Sequence, residues 1–409
     1  MIEAVIERCA GIDVGKKMIA VCVMTGPAAE RPRIEKRKFG TTVKELEDLG
    51  HWLTSQEVTD AVMESTGNYW KPIFNIIEEA VRVHLANAQQ VKNLRGHKTD
   101  MNDSQWLAHL LRHGMIRPSF IPPPDIRQLR DLTRRRKQLV NEGTRERNRI
   151  QKILEEGNIK LGNVLSDLFG ASGQAMLEAL VENRTTAEEM AQLAKCSAKR
   201  KIPDIMASLQ DHRMTDHLRF MVRHSLELLG FLEFQIQELD TAIMSLAEKC
   251  YPQQFRLLQT LPGVGQDAAA GILAEIGPDM KPFPTAHHLA SWAGVCPGNN
   301  ESAGIHKSGK TRRGNPWLRS LLVQTAWAAT RKKDSATKAR FENLKPRLGA
   351  KRAVVAVAHF LLLAAHQALT SGAAHPEQIL EHLDSTQKKR RIRYHSKCLH
   401  RLGVRVHTV

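Results

Sequence analysis

The chain has 409 residues, 42% hydrophobic and 25% charged, which excludes a fibre, a wholly disordered chain and a multi-span membrane protein. Its 60 Lys and Arg against 43 Asp and Glu leave a net charge of +17, which points to a polyanionic partner, nucleic acid ahead of an anionic membrane surface. The amino terminus carries acids and no basic stretch, so no signal peptide is expected. The longest apolar run, near 353–365, is interrupted by His359 and reads as too short to span a bilayer. Six scattered cysteines without a C-x-x-C pair exclude a zinc ribbon and a disulfide framework, and imply a reducing, cytoplasmic setting.

In chain order, 1–120 reads as α/β. Strands are expected at Arg8–Ile12, Met18–Met24 and Arg33–Phe39, the third more polar. A helix follows over Thr42–Leu53, with Val43, Leu46, Leu49 and Leu53 as its apolar stripe. A short strand Val58–Met63 ends at Glu64, then come a helix Tyr69–Glu79, a strand Val81–Ala86 and a helix Asp100–Arg112 with Trp106, Leu107, Leu110 and Leu111 inward. This order predicts one mixed sheet covered by helices. Pro122-Pro123-Pro124 marks a boundary. Over 121–250, two long helices, Asp125–Glu156 and Leu218–Leu246, flank a shorter helical insert, the pattern of an antiparallel coiled-coil arm. Arg134, Arg135 and Arg136 on the first helix are either a solvated face or phosphate contacts. Residues 251–372 are mostly helical and end on the apolar helix Ala350–Thr370; the tail 373–409 is basic.

Four carboxylates have the spacing of metal chemistry. Asp13 follows an apolar strand between Gly11 and Gly15, and Glu64 stands at a strand's carboxyl end. Asp100 and Asp103 are three apart on one helix and share a face. Ligands gather at strand carboxyl ends in such sheets, and clustered carboxylates repel unless a hard divalent cation sits among them. Taken singly, each has a plainer reading: a glycine turn, a strand end, a helix cap.

The segment Trp292–Arg319 is rich in Gly, Asn and Ser and carries Lys307, Lys310, Arg312, Arg313 and Arg319. Such a loop lets backbone approach a phosphate while the cations neutralise it. Ser302 or Ser308 then becomes a candidate nucleophile, or merely a turn residue. Leu261-Pro-Gly-Val-Gly265 before an Ala-rich helix has the form of a helix–hairpin–helix turn, in which the Gly263 and Gly265 amides meet a DNA phosphate; it is equally a plain helix entry.

Gly-Ile-Asp-Val-Gly-Lys, Met-Glu-Ser-Thr-Gly and Lys-Thr-Asp-Met-Asn-Asp, in that order, resemble the DEDD amino-terminal domain of the insertion sequence 110 family of transposases. Leu-Pro-Gly-Val-Gly, Trp-Ala-Gly-Val-Cys-Pro-Gly-Asn-Asn-Glu-Ser-Ala-Gly and Lys-Thr-Arg-Arg-Gly-Asn-Pro-Trp-Leu-Arg resemble the carboxy-terminal domain of the same proteins, in the manner of the 1111 subgroup. The resemblance implies a ribonuclease H-like (RuvC-like) domain, a coiled-coil arm and a mostly helical transposase domain. It implies that Asp13, Glu64, Asp100 and Asp103 hold Mg2+, with Mn2+ as a substitute, and that Ser302 joins covalently to DNA, with Ser308 in reserve. The implied partners are donor and target DNA, a bridge RNA pairing with both, and further copies of the chain, as dimers that pair into tetramers. The setting is the bacterial cytoplasm, at the nucleoid when acting, with no membrane. The competing expectation is a junction-type nuclease that uses the same carboxylates to activate water.

Overall fold

The computed structural model describes residues 4–65, 67–87, 100–183, 186–298, 300–302, 305–333, 335–374, 393, 396 and 399, with backbone alone at 100–102, 300–302 and 305–308. Most of the basic tail lies outside the described residues. The chain divides into two compact units, 1–121 and 122–409.

In the first unit, β1 (Arg8–Val14), β2 (Met18–Thr25) and β3 (Arg33–Gly40) form an antiparallel meander. Helix α1 (Val43–Ser55) leads to β4 (Asp60–Glu64), parallel to β1; α2 (Trp70–Ile77) leads to β5 (Arg82–Ala86), parallel to β4. The sheet order is β3-β2-β1-β4-β5, consistent with a ribonuclease H-like domain. Both faces are covered, so the central strands are almost continuously apolar. Ala10, Ile12, Val21, Val23, Ala61 and Met63 form a core with Leu46, Leu49, Trp52 and Leu53 of α1 and Ile73 and Ile77 of α2. Cys9, Cys22, Met24 and Val62 point to the other face, against Leu107, Ala108, Leu110 and Leu111 of α3 (Asp100–Arg112). Two stripe residues differ from expectation. Val43 is 63% exposed, because it opens α1 directly after the Thr42 cap, and Trp52 takes its place inside. Trp106 is half-buried, on the edge of the α3 packing face.

Arg112 ends α3 with its side chain buried. Its guanidinium donates to the carbonyls of Ile6, Glu7, Gly26 and Pro27 at 2.7–3.3 Å, which ties the helix to the chain start and the β2–β3 connection.

In the second unit, α4 (Pro124–Glu156) and α9 (Asp216–Cys250) run antiparallel and pack along their length. Arg136 pairs with Asp240 and Arg147 with Glu233, while Ile150 and Leu154 share a core with Leu218 and Val222. That core also holds the insert: α5 (Leu161–Val164), α6 (Ala171–Glu182), α7 (Ala187–Gln192), a 3-10 turn and α8 (Ile202–Leu209). The rest comprises α10 (Pro252–Gln259), α11 (Gln266–Ile276), α12 (Ala286–Ala293), the strands β6 (Asn300–Ser302) and β7 (Ile305–Ser308), α13 (Pro316–Arg331), α14 (Ala336–Leu348) and α15 (Ala350–Ser371). The apolar run near 353–365 is the middle of α15, a 22-residue helix that is long and apolar enough to cross a membrane. It packs against α10, α12, α13 and α14, and Val354, Val357, Leu361 and Leu362 are buried, as in a core helix.

Candidate active site

The register of the sheet sets the acidic residues. Ile12 pairs with Met63 across the parallel β1–β4 ladder, so the next residues, Asp13 and Glu64, stand side by side at the carboxyl ends of neighbouring strands. By strand alternation they share the face of Cys9, Gly11 and Val62, the face that α3 covers. Both are half-buried. Asp60 shares that face at the other end of β4, where its carboxylate meets His84 Nε2 at 2.8 Å and takes no part in the site.

Gly11 fixes where α3 crosses. A Cβ there would lie 2.0 Å from the Ser104 carbonyl oxygen and 2.4 Å from the Ala108 amide nitrogen, so only glycine admits the helix. The Cys9 thiol donates to the Ala108 carbonyl at 3.5 Å. Going from Cys9 to Gly11 therefore moves back along α3 from Ala108 towards Ser104. Two strand residues advance about 6.7 Å and four helix residues about 6 Å, so the same step beyond Gly11 brings Asp13 under the turn that begins with Asp100. Asp103, half-buried, lies in that turn. The Asp100 side chain is outside the described residues. Among the described residues no three acidic, histidine or cysteine side chains stand close enough to hold an ion, so Asp13, Glu64 and Asp103 do not by themselves form a metal site.

The face beneath α3 is apolar. Burial pushes the Cys9 thiol up to about 12 and the Cys22 thiol up to about 11, the latter against the pull of the Lys36 ammonium.

In the second unit, the segment expected as an open loop contains a hairpin. Ser302 pairs with Ile305 and Glu301 with His306, so Ser302 sits at the turn end. Lys307 and Ser308 lie on the returning strand, their side chains outside the described residues. The base is locked by backbone. Pro297 pairs with Thr311, and the Gly298 amide donates to the Lys310 carbonyl at 2.8 Å. Gly294 has φ +74°, and a Cβ on Gly314 would lie 2.3 Å from the Gly294 nitrogen. Lys310, Arg312 and Arg313 are exposed and Arg319 half-buried.

Arg134 and Arg136 are engaged inside the unit. Arg134 donates to both oxygens of buried Glu275 at 2.8 Å, and Arg136 pairs with Asp240 and Asp267. Arg135, between them, is exposed. Arg130, one helical turn before Arg134 and without a distinguishing motif in the sequence, donates to the Ala274 and Glu275 carbonyls, and burial lowers its pKa to about 10. Gly263 has a packing reason: with φ +75°, a Cβ there would lie 2.5 Å from the Ala329 nitrogen on α13. Gly265 precedes α11 with open space around it.

A family model described as "Transposase", for the DEDD domain of IS110 elements, matches residues 10–159, and one described as "Transposase IS116/IS110/IS902 family" matches 255–342. The chain belongs to the IS110 family of transposases. It is thus an enzyme acting on DNA, in transposition and recombination. It is 26% identical over 319 residues to the putative transposase y4rJ of Sinorhizobium fredii, covering 72% of each chain. It is 30% identical over 204 residues to the insertion element IS110 protein of Streptomyces coelicolor, covering 46% of this chain and 50% of that one. A shorter stretch, 26% of this chain and 31% of the other, is 34% identical to the pilin gene-inverting protein of Moraxella bovis. A junction nuclease would account for the first domain and leave the match at 255–342 without a role.

Proposed function

We propose that this IS110-family chain mobilises an insertion sequence by cutting and rejoining DNA through a covalent link between Ser302 and the DNA. Asp13, Glu64, Asp100 and Asp103 hold Mg2+, with Mn2+ as a working substitute. Their chemistry fits: hard oxygen donors, whose mutual repulsion a divalent cation relieves. Held by these residues, a divalent ion would supply positive charge to offset that of a DNA phosphate at the carboxylates.

The Ser302 hydroxyl gives up its proton as its oxygen bonds to phosphorus. The phosphorus–oxygen bond to one deoxyribose breaks, and the released sugar oxygen takes up a proton. A sugar hydroxyl of the new partner strand then attacks the seryl phosphodiester and regenerates Ser302. One phosphodiester replaces another, so rejoining needs no outside energy source. Lys310, Arg312 and Arg313, exposed beside the hairpin, neutralise the phosphates around it. A bridge RNA pairs with donor and target DNA and selects the sites. The chain works as homodimers that pair into tetramers, with α4 and α9 as the coiled-coil arm. Phe220, Phe231 and Phe234 support this, since they stand more than half exposed on α9 at separations close to whole helical turns.

What supports the reading most is the register that sets Asp13 beside Glu64 under the start of α3. The test is a denaturing gel of protein incubated with Mg2+, RNA transcribed from the element's flank and labelled element-end DNA. Wild type and Ser308→Ala give a covalent protein–DNA band and Ser302→Ala gives none. A band that persists in Ser302→Ala contradicts the assignment.

A further inference from the structure

The row of residues that contains Asp13 continues across the sheet to an edge-strand cation. Asp13 pairs with Ala20 on β2, and Ala20 pairs with Lys38 on β3. Glu64, Asp13, Ala20 and Lys38 thus form one line across four strands, all on the α3 side. Two strand spacings separate the Lys38 backbone from that of Asp13, about 10 Å, with only a methyl group between. Lys36, half-buried, shares the face with Lys38, since it pairs with Cys22 and its ammonium acts on the Cys22 thiol. Residues 35, 37 and 39 alternate to the other face, where Phe39 and Arg37 meet the Trp52 ring.

Helix α3 packs on β1, β2 and β4. On β3 the same face is open: Ile34 is 42% exposed and Lys38 is exposed. Among the described residues no carboxylate pairs with Lys36 or Lys38. The first unit therefore presents carboxylates at its centre and, at one edge, an uncompensated ammonium in the same row.

We infer that Lys38 binds a backbone phosphate of the DNA strand engaged at the carboxylates, a few nucleotides from the reacting phosphate on the β3 side. This rests on the carboxylates being the site that meets DNA. The chemistry is that of a point charge on a flexible stem, which suits a phosphate without reading sequence. The distance agrees, since about 10 Å is a few steps of a strand at about 3.4 Å of axial rise each. Edge strands also carry lysines simply to block pairing with another sheet, and a lysine with that role alone leaves DNA binding unchanged.

The experiment uses full-length protein and random-sequence DNA with an unpaired flap, in Ca2+, with binding followed by fluorescence anisotropy at several salt concentrations. Lys38→Gln is expected to weaken binding several-fold and to lower the slope of log affinity against log salt by about one, as for one lost phosphate contact. Lys38→Arg keeps the wild-type slope. Lys17→Gln, an exposed cation on the β1–β2 turn and off the row, keeps it too. An unchanged slope in Lys38→Gln overturns the inference, as does an equal effect from Lys17→Gln or a loss seen only with an RNA hairpin probe. Circular dichroism of Lys38→Gln matching wild type excludes misfolding, and a spectrum that departs counts against the inference. The carboxylate reading fails separately, through Asp13→Asn protein that still cleaves DNA.

Discussion

Asn315 donates from Nδ2 to Glu275 Oε2 at 2.5 Å, while its Oδ1 accepts from the Trp317 and Leu318 amides and caps α13. Glu275 is buried and also receives both Arg134 hydrogen bonds, so one carboxylate joins α4, α11 and the exit of the Ser302 hairpin. Removing one partner of a buried charged set costs about 3–5 kcal/mol, because the others are left uncompensated. Glu275→Ala should lower the unfolding free energy of the second unit, followed by calorimetry, by that amount. Arg135→Ala, on the exposed neighbour, should leave it within about 0.5 kcal/mol.

Gly11→Ala should lift α3 from β1. The new methyl would meet backbone atoms of Ser104 and Ala108, which cannot swing aside as a side chain can. A loss of about 1–3 kcal/mol or more is expected in thermal unfolding, with loss of Mg2+-dependent cleavage. Gly50→Ala in α1, whose Cβ would rest 3.9 Å from the Ala80 Cβ, should be neutral or stabilising.

The Cys9 and Cys22 thiols should resist a thiol reagent at pH 8 until the protein is denatured, while exposed Cys196 reacts at once. The same burial makes stability depend on pH. The folded pKa values, about 12 and about 11, lie above the ordinary value of 9.0, so folding favours the protonated thiols. Their contribution is full below pH 9 and is lost as the pH rises through 11 to 12. Denaturant midpoints of the first unit should fall over that window, and less so in Cys22→Ala.

Phe231→Glu should reduce assembly, since it sets a charge in the middle of the exposed aromatic face of α9. Light scattering should give a smaller species with unchanged helix content.

The sheet and long helices were legible because hydrophobic period and punctuation agree there: β1 and β2 are apolar runs around a Gly-containing turn, and α4 starts at the triple proline. The Val43 and Trp106 placements were not, because helical period locates a stripe but not its edges. The four acidic residues could be picked out by type and order, whereas the adjacency of Asp13 and Glu64 depends on a parallel pairing between strands about fifty residues apart in sequence. The Arg134–Glu275 pair was hidden for the same reason: a basic run shows its charges but not which ones distant carboxylates have already engaged. Lys38 gave no signal because alternation along a polar strand has no meaning until its register is known. The hairpin around Ser302 was masked by the Gly and Asn that also make loops.

The most direct measurement is calorimetric titration of Mn2+ into the full-length protein. Wild type should bind, Asp13→Asn, Glu64→Gln, Asp100→Asn and Asp103→Asn should each weaken binding at least about tenfold, and Asp48→Asn, an exposed acid on α1, should match wild type. Equal binding by Asp13→Asn and wild type would contradict the account.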